Sequence, residues 1–215
     1  MVHAKHIFHS LHPATGKTLK MYRYMTPAQL LTAFKQGQQA FSSWKETSVE
    51  ERAKLLQKVG SLLKQQKESY ARMITLEMGK PHVEAVAVIE KCAWACDYFA
   101  EQGPRFLQPE MMKTEAKKSY LRFDPLGVLL AIMPWNFPFW QVFRFGAPAL
   151  LAGNTVLLKH SSIVPGCSLL LEKLFRDAGF PPYAFQTLLT DAEGVQFLLP
   201  HVQGVTLTGS VAAGS

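Results

Sequence analysis

Residues Pro125 to Lys159, PLGVLLAIMPWNFPFWQVFRFGAPALLAGNTVLLK, carry two short apolar runs separated by a stretch of helical length. Val128 to Ile132 and Thr155 to Leu158 are too short for buried helices and read as buried strands. Between them Pro134, Trp135, Asn136, Phe137 and Pro138 set two rigid rings and two aromatics around one amide, where a strand hands over to a helix. The alternation then continues. Strands are expected at Val128 to Ile132, Thr155 to Lys159, Ala184 to Leu189 and Val205 to Thr208. Helices are expected at Phe139 to Leu151, Pro165 to Ala178 and Gly194 to Leu199, with Gly153 and Gly179 as caps just past the first two. Such alternation implies right-handed crossovers and a parallel sheet, an α/β fold whose ligands bind at the carboxyl ends of the strands.

With 215 residues, 48% of them hydrophobic, the chain has enough apolar surface for a sizeable core. Its formal charge of +7 comes from lysines and arginines scattered through amphipathic stretches rather than gathered in a block, and no nucleic-acid motif accompanies it. An anionic ligand such as a dinucleotide uses the same positive field. No stretch reads as a signal peptide or is long enough to span a bilayer, so a cytoplasmic protein without membrane or nucleic-acid partners is expected. Three cysteines without a Cys-x-x-Cys spacing argue against disulfides or structural zinc.

His3, His6, His9 and His12 recur every third residue, but Ile7, Phe8 and Leu11 before the turn at Pro13 to Gly16 signal a strand, followed by a second at Thr18 to Tyr24. Strand alternation splits the four imidazoles between two faces, so no metal site is expected. Thr26-Pro27 starts a helix that runs to Trp44, and Ser48-Val49-Glu50-Glu51 is a capping box before an apolar stripe from Leu55 to Leu63. A further helix ends near Met78 with Gly79 as cap, and the next carries Cys92 and Cys96 on a packing face. Gly103-Pro104 is expected to end the helical region. Phe106 to Phe123 then reads as two strands around a polar Lys113 to Lys118 segment, an arm whose edges call for a partner. The domain organisation expected is 1–104 for hairpin and helices, 105–124 for the arm and 125–215 for the parallel-sheet part.

Four groups carry candidate chemistry. Asn136 can donate to a developing oxyanion, a contribution of about 3 kcal/mol when well aimed, or can cap the following helix. Lys159, at the carboxyl end of a parallel strand, can reach ribose hydroxyls or a phosphate, or can be a surface lysine. Thr208-Gly209-Ser210, a glycine turn after a strand, can approach a pyrophosphate. Phe137, Trp140, Gln141 and Arg144 stand at i, i+3, i+4 and i+7, a spacing that puts them on one helical face. They can line an apolar tunnel with Arg144 clamping a carboxylate, or simply pack while the arginine reaches solvent.

PLGVLLAIMPWNFP, AGNTVLLK and VTLTGSVAAG, together with HPATGKTL and LEMGKP nearer the start, resemble the NAD(P)-dependent aldehyde dehydrogenase superfamily over essentially the whole chain. FPFWQVFRF and LLKHSSIVPGC are most similar to its bacterial succinate-semialdehyde dehydrogenases. The resemblance implies a Rossmann-like cofactor-binding domain with part of a β oligomerisation arm, and homo-oligomers in the intact family. It implies that Asn136 supplies the oxyanion-hole amide and that Ile132, Met133, Pro134 and Trp135 line the nicotinamide side. Lys159, Ser161 and Ser162 would hold the adenosine ribose, Thr208, Gly209 and Ser210 the pyrophosphate, and Phe137, Trp140, Gln141 and Arg144 the aldehyde, with Arg144 on its carboxylate. The family's NAD-preferring members carry Lys-Pro-x-Glu where this chain has Lys159-His160-Ser161-Ser162. Losing that glutamate removes a charge that repels a 2′-phosphate, so NADP is expected to be accepted alongside or ahead of NAD.

The family's nucleophilic cysteine and general-base glutamate lie downstream of the glycine turn. None of Cys92, Cys96 and Cys167 stands where that nucleophile belongs. The expectation is a truncated dehydrogenase, inactive by itself, of succinate semialdehyde or a related aldehyde. A stand-alone dinucleotide-binding module or an inactive gene fragment are the alternatives.

Overall fold

The computed structural model describes residues 7–214, so His3 and His6 of the histidine repeat lie outside the described residues. The described residues open on a hairpin of β1 (Ile7–Leu11) and β2 (Thr18–Arg23), paired antiparallel with an irregularity between Ser10 and Leu11. Four helices follow: α1 (Pro27–Trp44), α2 (Val49–Gln65), α3 (Lys67–Met78) and α4 (His82–Phe106). Thr26 and Ser48 each form a complete capping box, with Gln29 and Glu51 as the reciprocal partners. Gly79 ends α3 in the left-handed region at φ 77°, a conformation that a Cβ would strain.

α4 differs from the expectation. It runs through Gly103 and Pro104 to Phe106, so the Gly-Pro pair does not stop the helix. Gly103 is there for contact: a Cβ on it would fall 2.0 Å from Leu151 Cδ2, at the end of the helix α4 packs against. Beyond it the arm is shorter than read from the sequence, with β3 (Glu110–Met111) pairing β4 (Tyr120–Leu121) over two residues each. Met111, Met112, Tyr120, Leu121 and Phe123 are all exposed along it.

The remaining elements are β5 (Val128–Met133), α5 (Trp140–Leu151), β6 (Thr155–His160), α6 (Pro165–Asp177), β7 (Phe185–Thr187), α7 (Ala192–Leu198), β8 (Gly204–Leu207) and the short α8 (Val211–Gly214). The strands form one parallel sheet in the order β7-β6-β5-β8. Both faces are covered, which is why β5 and β6 are apolar almost without alternation. On one face Val128, Leu130 and Leu157 meet Leu30 and Phe34 of α1 and Leu198 of α7. On the other, Leu129, Ala131, Met133, Val156 and Leu158 join the larger core made with α2 to α6.

Side chains reach between elements to fix this stack. Asn154 accepts from the N–H groups of Leu126 and Gly127 at 2.7 and 3.1 Å and donates to the Ala149 carbonyl, tying the end of α5 to the start of β5. Arg52, buried, donates to the Leu151 carbonyl at the end of α5. Glu77, 2% exposed, accepts from Gly166 N–H at 2.8 Å, Cys167 N–H at 2.9 Å and the Ser10 hydroxyl at 2.8 Å. One carboxylate thereby joins α3, the first turn of α6 and the hairpin.

Candidate active site

β5 is the pivot. The chain leaves it for β6 and β7 on one side and returns to β8 on the other, so the direction of winding reverses between β5 and β8. In open parallel sheets the crevice outside the carboxyl ends at such a reversal is the ligand site. Ile132 is in register with Lys159 on one side and Leu207 on the other. The ladder extends past the strands, with Ser161 N–H donating to Met133 O and Thr208 N–H to Ile132 O, each at 3.0 Å. The Pro134–Pro138 turn, the Lys159–Ser162 segment and the Thr208–Ser210 turn therefore leave the sheet side by side.

Asn136 is exposed and does not cap the following helix. The N-cap of α5 is Phe139, with no side-chain cap bond, and the Asn136 amide has no hydrogen-bond partner among the described residues. Trp135 and Phe137 flank it, 46% and 38% exposed. Pro134 is half-buried, Ile132 faces the α1 and α7 side, and Met133 is 3% exposed within the larger core, so its side chain packs away from the crevice.

Lys159 is half-buried, and its ammonium has neither ion pair nor hydrogen bond among the described residues. Burial lowers its pKa, and the carboxylate of Asp191 opposes the shift. An ammonium in such a place lacks acceptors that a ligand could supply. Ser161 donates its N–H into the ladder and accepts from Ile163 N–H through its hydroxyl at 3.3 Å. Ser162 is exposed beside Tyr24, whose own pKa is raised by burial and by Asp191, with Ser162 opposing.

The proposed aldehyde face is only partly formed on α5. Phe137 precedes the helix, although its carbonyl accepts from Gln141 N–H at 3.1 Å. Two lysines cover the aromatic rings, Lys80 Nζ lying 4.4 Å from the Phe137 centroid and Lys91 Nζ 4.0 Å from that of Trp140. Gln141 Oε1 is buried without a partner among the described residues. Arg144 is exposed and its Nη2 donates to Thr208 Oγ1 at 3.3 Å, which places it beside the glycine turn. Gly209 and Ser210 are exposed at that turn.

Sequence reasoning missed Lys80, Lys91, Tyr24 and Asp191, because each arrives from an element distant in the chain. The strand order is what brings Asp191 to Lys159. Cys92, Cys96 and Cys167 are all buried, and burial raises the pKa of each thiol. Among the described residues no group of His, Cys, Asp and Glu side chains could hold a metal ion, and no helix is long and apolar enough to cross a membrane.

The aldehyde dehydrogenase family matches residues 2–215. A probable succinate-semialdehyde dehydrogenase [NADP(+)] of Synechocystis is 42% identical over 208 residues, which is 96% of this chain and 46% of that protein. A succinate semialdehyde dehydrogenase [NAD(P)+] of Escherichia coli is 41% identical over 208 residues, 96% of this chain and 45% of that protein. The crystal structure of succinic semialdehyde dehydrogenase from Streptococcus pyogenes in complex with NADP+ superposes with a TM-score of 0.92 at 30% identity, covering 96% of this chain and 46% of that one. The chain thus spans about half the length of these relatives. With a family match across nearly every residue and the motif-bearing turns gathered at one end of the sheet, the chain belongs to the aldehyde dehydrogenase family.

Proposed function

We propose that this chain forms the dinucleotide-binding part of an NAD(P)-dependent succinate-semialdehyde dehydrogenase. The observation that carries the reading is the pairing of two unsatisfied donors, the exposed amide of Asn136 and the half-buried ammonium of Lys159, on adjoining segments at the winding reversal. Those donors fit an aldehyde oxygen at one end and an adenosine ribose at the other. The relatives named for succinate semialdehyde and NADP support the substrate and cofactor.

In this reading Lys159 holds the ribose hydroxyls, and Ser161 and Ser162 flank it. Ser162, exposed and uncharged, leaves room for a 2′-phosphate, so NADP is accepted. The Thr208–Gly209–Ser210 turn meets the pyrophosphate, and Arg144, exposed and bonded to Thr208, clamps the substrate carboxylate. Asn136 donates to the aldehyde oxygen as negative charge develops there. A nicotinamide dinucleotide bound in the crevice supplies the hydride acceptor. Phe137 and Trp140, fixed under Lys80 and Lys91, wall the aldehyde side. The buried, weakly acidic thiols of the three cysteines make poor nucleophiles, so the 215 residues by themselves bind cofactor without oxidising aldehyde. The exposed apolar arm supports a homo-oligomer, and the cytoplasm is the proposed compartment.

A chimera in which this segment replaces its counterpart in the E. coli relative tests the assignment. It is expected to oxidise succinate semialdehyde with NADP+, and Asn136→Ala in it to lower kcat by roughly a hundredfold to a thousandfold. A soluble chimera with no NADP+-dependent oxidation, or one indifferent to Asn136→Ala, contradicts the reading.

A further inference from the structure

His160 departs from the family string Lys-Pro-x-Glu, and neither the cofactor nor the aldehyde reading uses it. It is 5% exposed and in register with Met133, the last residue of β5. Strand alternation sends its side chain to the face opposite that of Lys159. There Nε2 lies 2.8 Å from the carbonyl oxygen of Pro138, and Nδ1 lies 2.9 Å from the backbone nitrogen of Ser161. That Ser161 N–H is shared between Nδ1 and Met133 O. Pro138 O can only accept, so Nε2 must carry the proton. The Ser161 amide is a donor, so Nδ1 must be bare. Both ring nitrogens are thereby assigned, and the ring is a neutral imidazole in one tautomer.

The two partners belong to the two halves of the crevice. Pro138 closes the turn that presents Asn136, and Ser161 follows Lys159. Asn136 has no hydrogen bond of its own to hold it, and its turn is otherwise anchored at the far end by buried Phe139. We propose that His160 is a positioning residue, its imidazole stapling the Pro134–Pro138 turn to the Lys159–Ser162 segment so that the oxyanion amide and the ribose ammonium keep a fixed spacing. The catalytic significance rests on the reading of the crevice as a dinucleotide site; the staple itself does not. Burial keeps the ring uncharged, lowering its pKa to about 4, with Lys159 adding to the shift and the Pro138 and Met133 carbonyls opposing it. Lys159 is the charged group that acts on it.

The test uses the 215-residue chain and two variants. His160→Leu removes both hydrogen bonds, while His160→Gln keeps a donor for Pro138 and an acceptor for Ser161. In ¹⁵N-histidine NMR, the resonance lost in both variants is expected to show the Nε2–H tautomer, unchanged from about pH 8 to about pH 5.5. Hydrogen exchange of the Ser161 amide, held by Nδ1 and Met133 O, is expected to speed up about tenfold in His160→Leu, the worth of one hydrogen bond, and to return towards the wild-type rate in His160→Gln. NADPH titration is expected to show a parallel loss of about tenfold in His160→Leu with recovery in His160→Gln.

An Nδ1–H tautomer, titration of the ring at an ordinary histidine pKa, or a glutamine variant no better than leucine overturns the staple. If the wild type binds no NADPH, the dinucleotide reading fails, and the tautomer and exchange measurements still decide the staple. If His160→Leu does not fold, the wild-type spectrum and the glutamine variant decide it.

Discussion

Lys159 and His160 are neighbours in sequence with opposite surroundings, because successive side chains of a strand point to opposite faces. The lysine faces Asp191 and the crevice, and the histidine faces the turn before α5. The histidine has a consequence for stability. Its folded pKa of about 4 lies below the ordinary value of 6.5, so between these the unfolded chain binds more protons. The contribution is therefore present above the unfolded value and is lost as pH falls towards the folded one. It is on the order of 3 kcal/mol at most. Urea denaturation at neutral pH and at about pH 4.5 is expected to show a smaller acid loss in His160→Gln than in the wild type. Equal losses contradict the assignment. The cysteines offer a second check. Buried thiols with raised pKa should react with an aromatic disulfide reagent only on unfolding, so rapid labelling of the native chain contradicts their burial.

Among the elements, α6 depends on a residue far from it in sequence. Glu77 of α3 satisfies two of its first N–H groups, which the helix cannot satisfy internally. Glu77→Leu leaves those donors and the Ser10 hydroxyl unpaired in the interior, and is expected to cost about 3 kcal/mol. Urea unfolding measures it, and a loss under about 1 kcal/mol would show that the site relaxes or admits water. Gly103→Ala is expected to destabilise by about 2 kcal/mol, because the new methyl would overlap Leu151. Local signals in the sequence located the caps at Thr26, Ser48 and Gly79 because each acts within one helical turn. The apolar runs located β5 and β6 for a similar reason: a doubly covered strand has no polar face to break its pattern. Gly103-Pro104 misled because the glycine serves a contact with α5, information that resides at Leu151 and not nearby. Glu77 was equally illegible, since its partners lie 67 to 90 positions away.

In the whole molecule, one reversal of winding gathers the candidate site. It sets the Asn136 turn and the Lys159 strand on one side of β5's end and the glycine turn on the other. The sequence showed the residue types at these places, and the strand order supplied their adjacency. The placement of Arg144 against Thr208 came from that order as well, and it sets the arginine beside the glycine turn. The alternating exposure of β8, with Val205 and Leu207 uncovered, contrasts with the buried centre of the sheet.

If the Asn136 turn and the Lys159 strand face one nucleotide, an NMR titration of the 215-residue chain with NADP+ shows it. The Asn136 side-chain amide, the Lys159–Ser162 backbone and the Gly209 backbone are predicted to shift together along one saturation curve. Saturable binding that moves only one of these groups, or that perturbs residues elsewhere while leaving Asn136 and Lys159 unmoved, would contradict it.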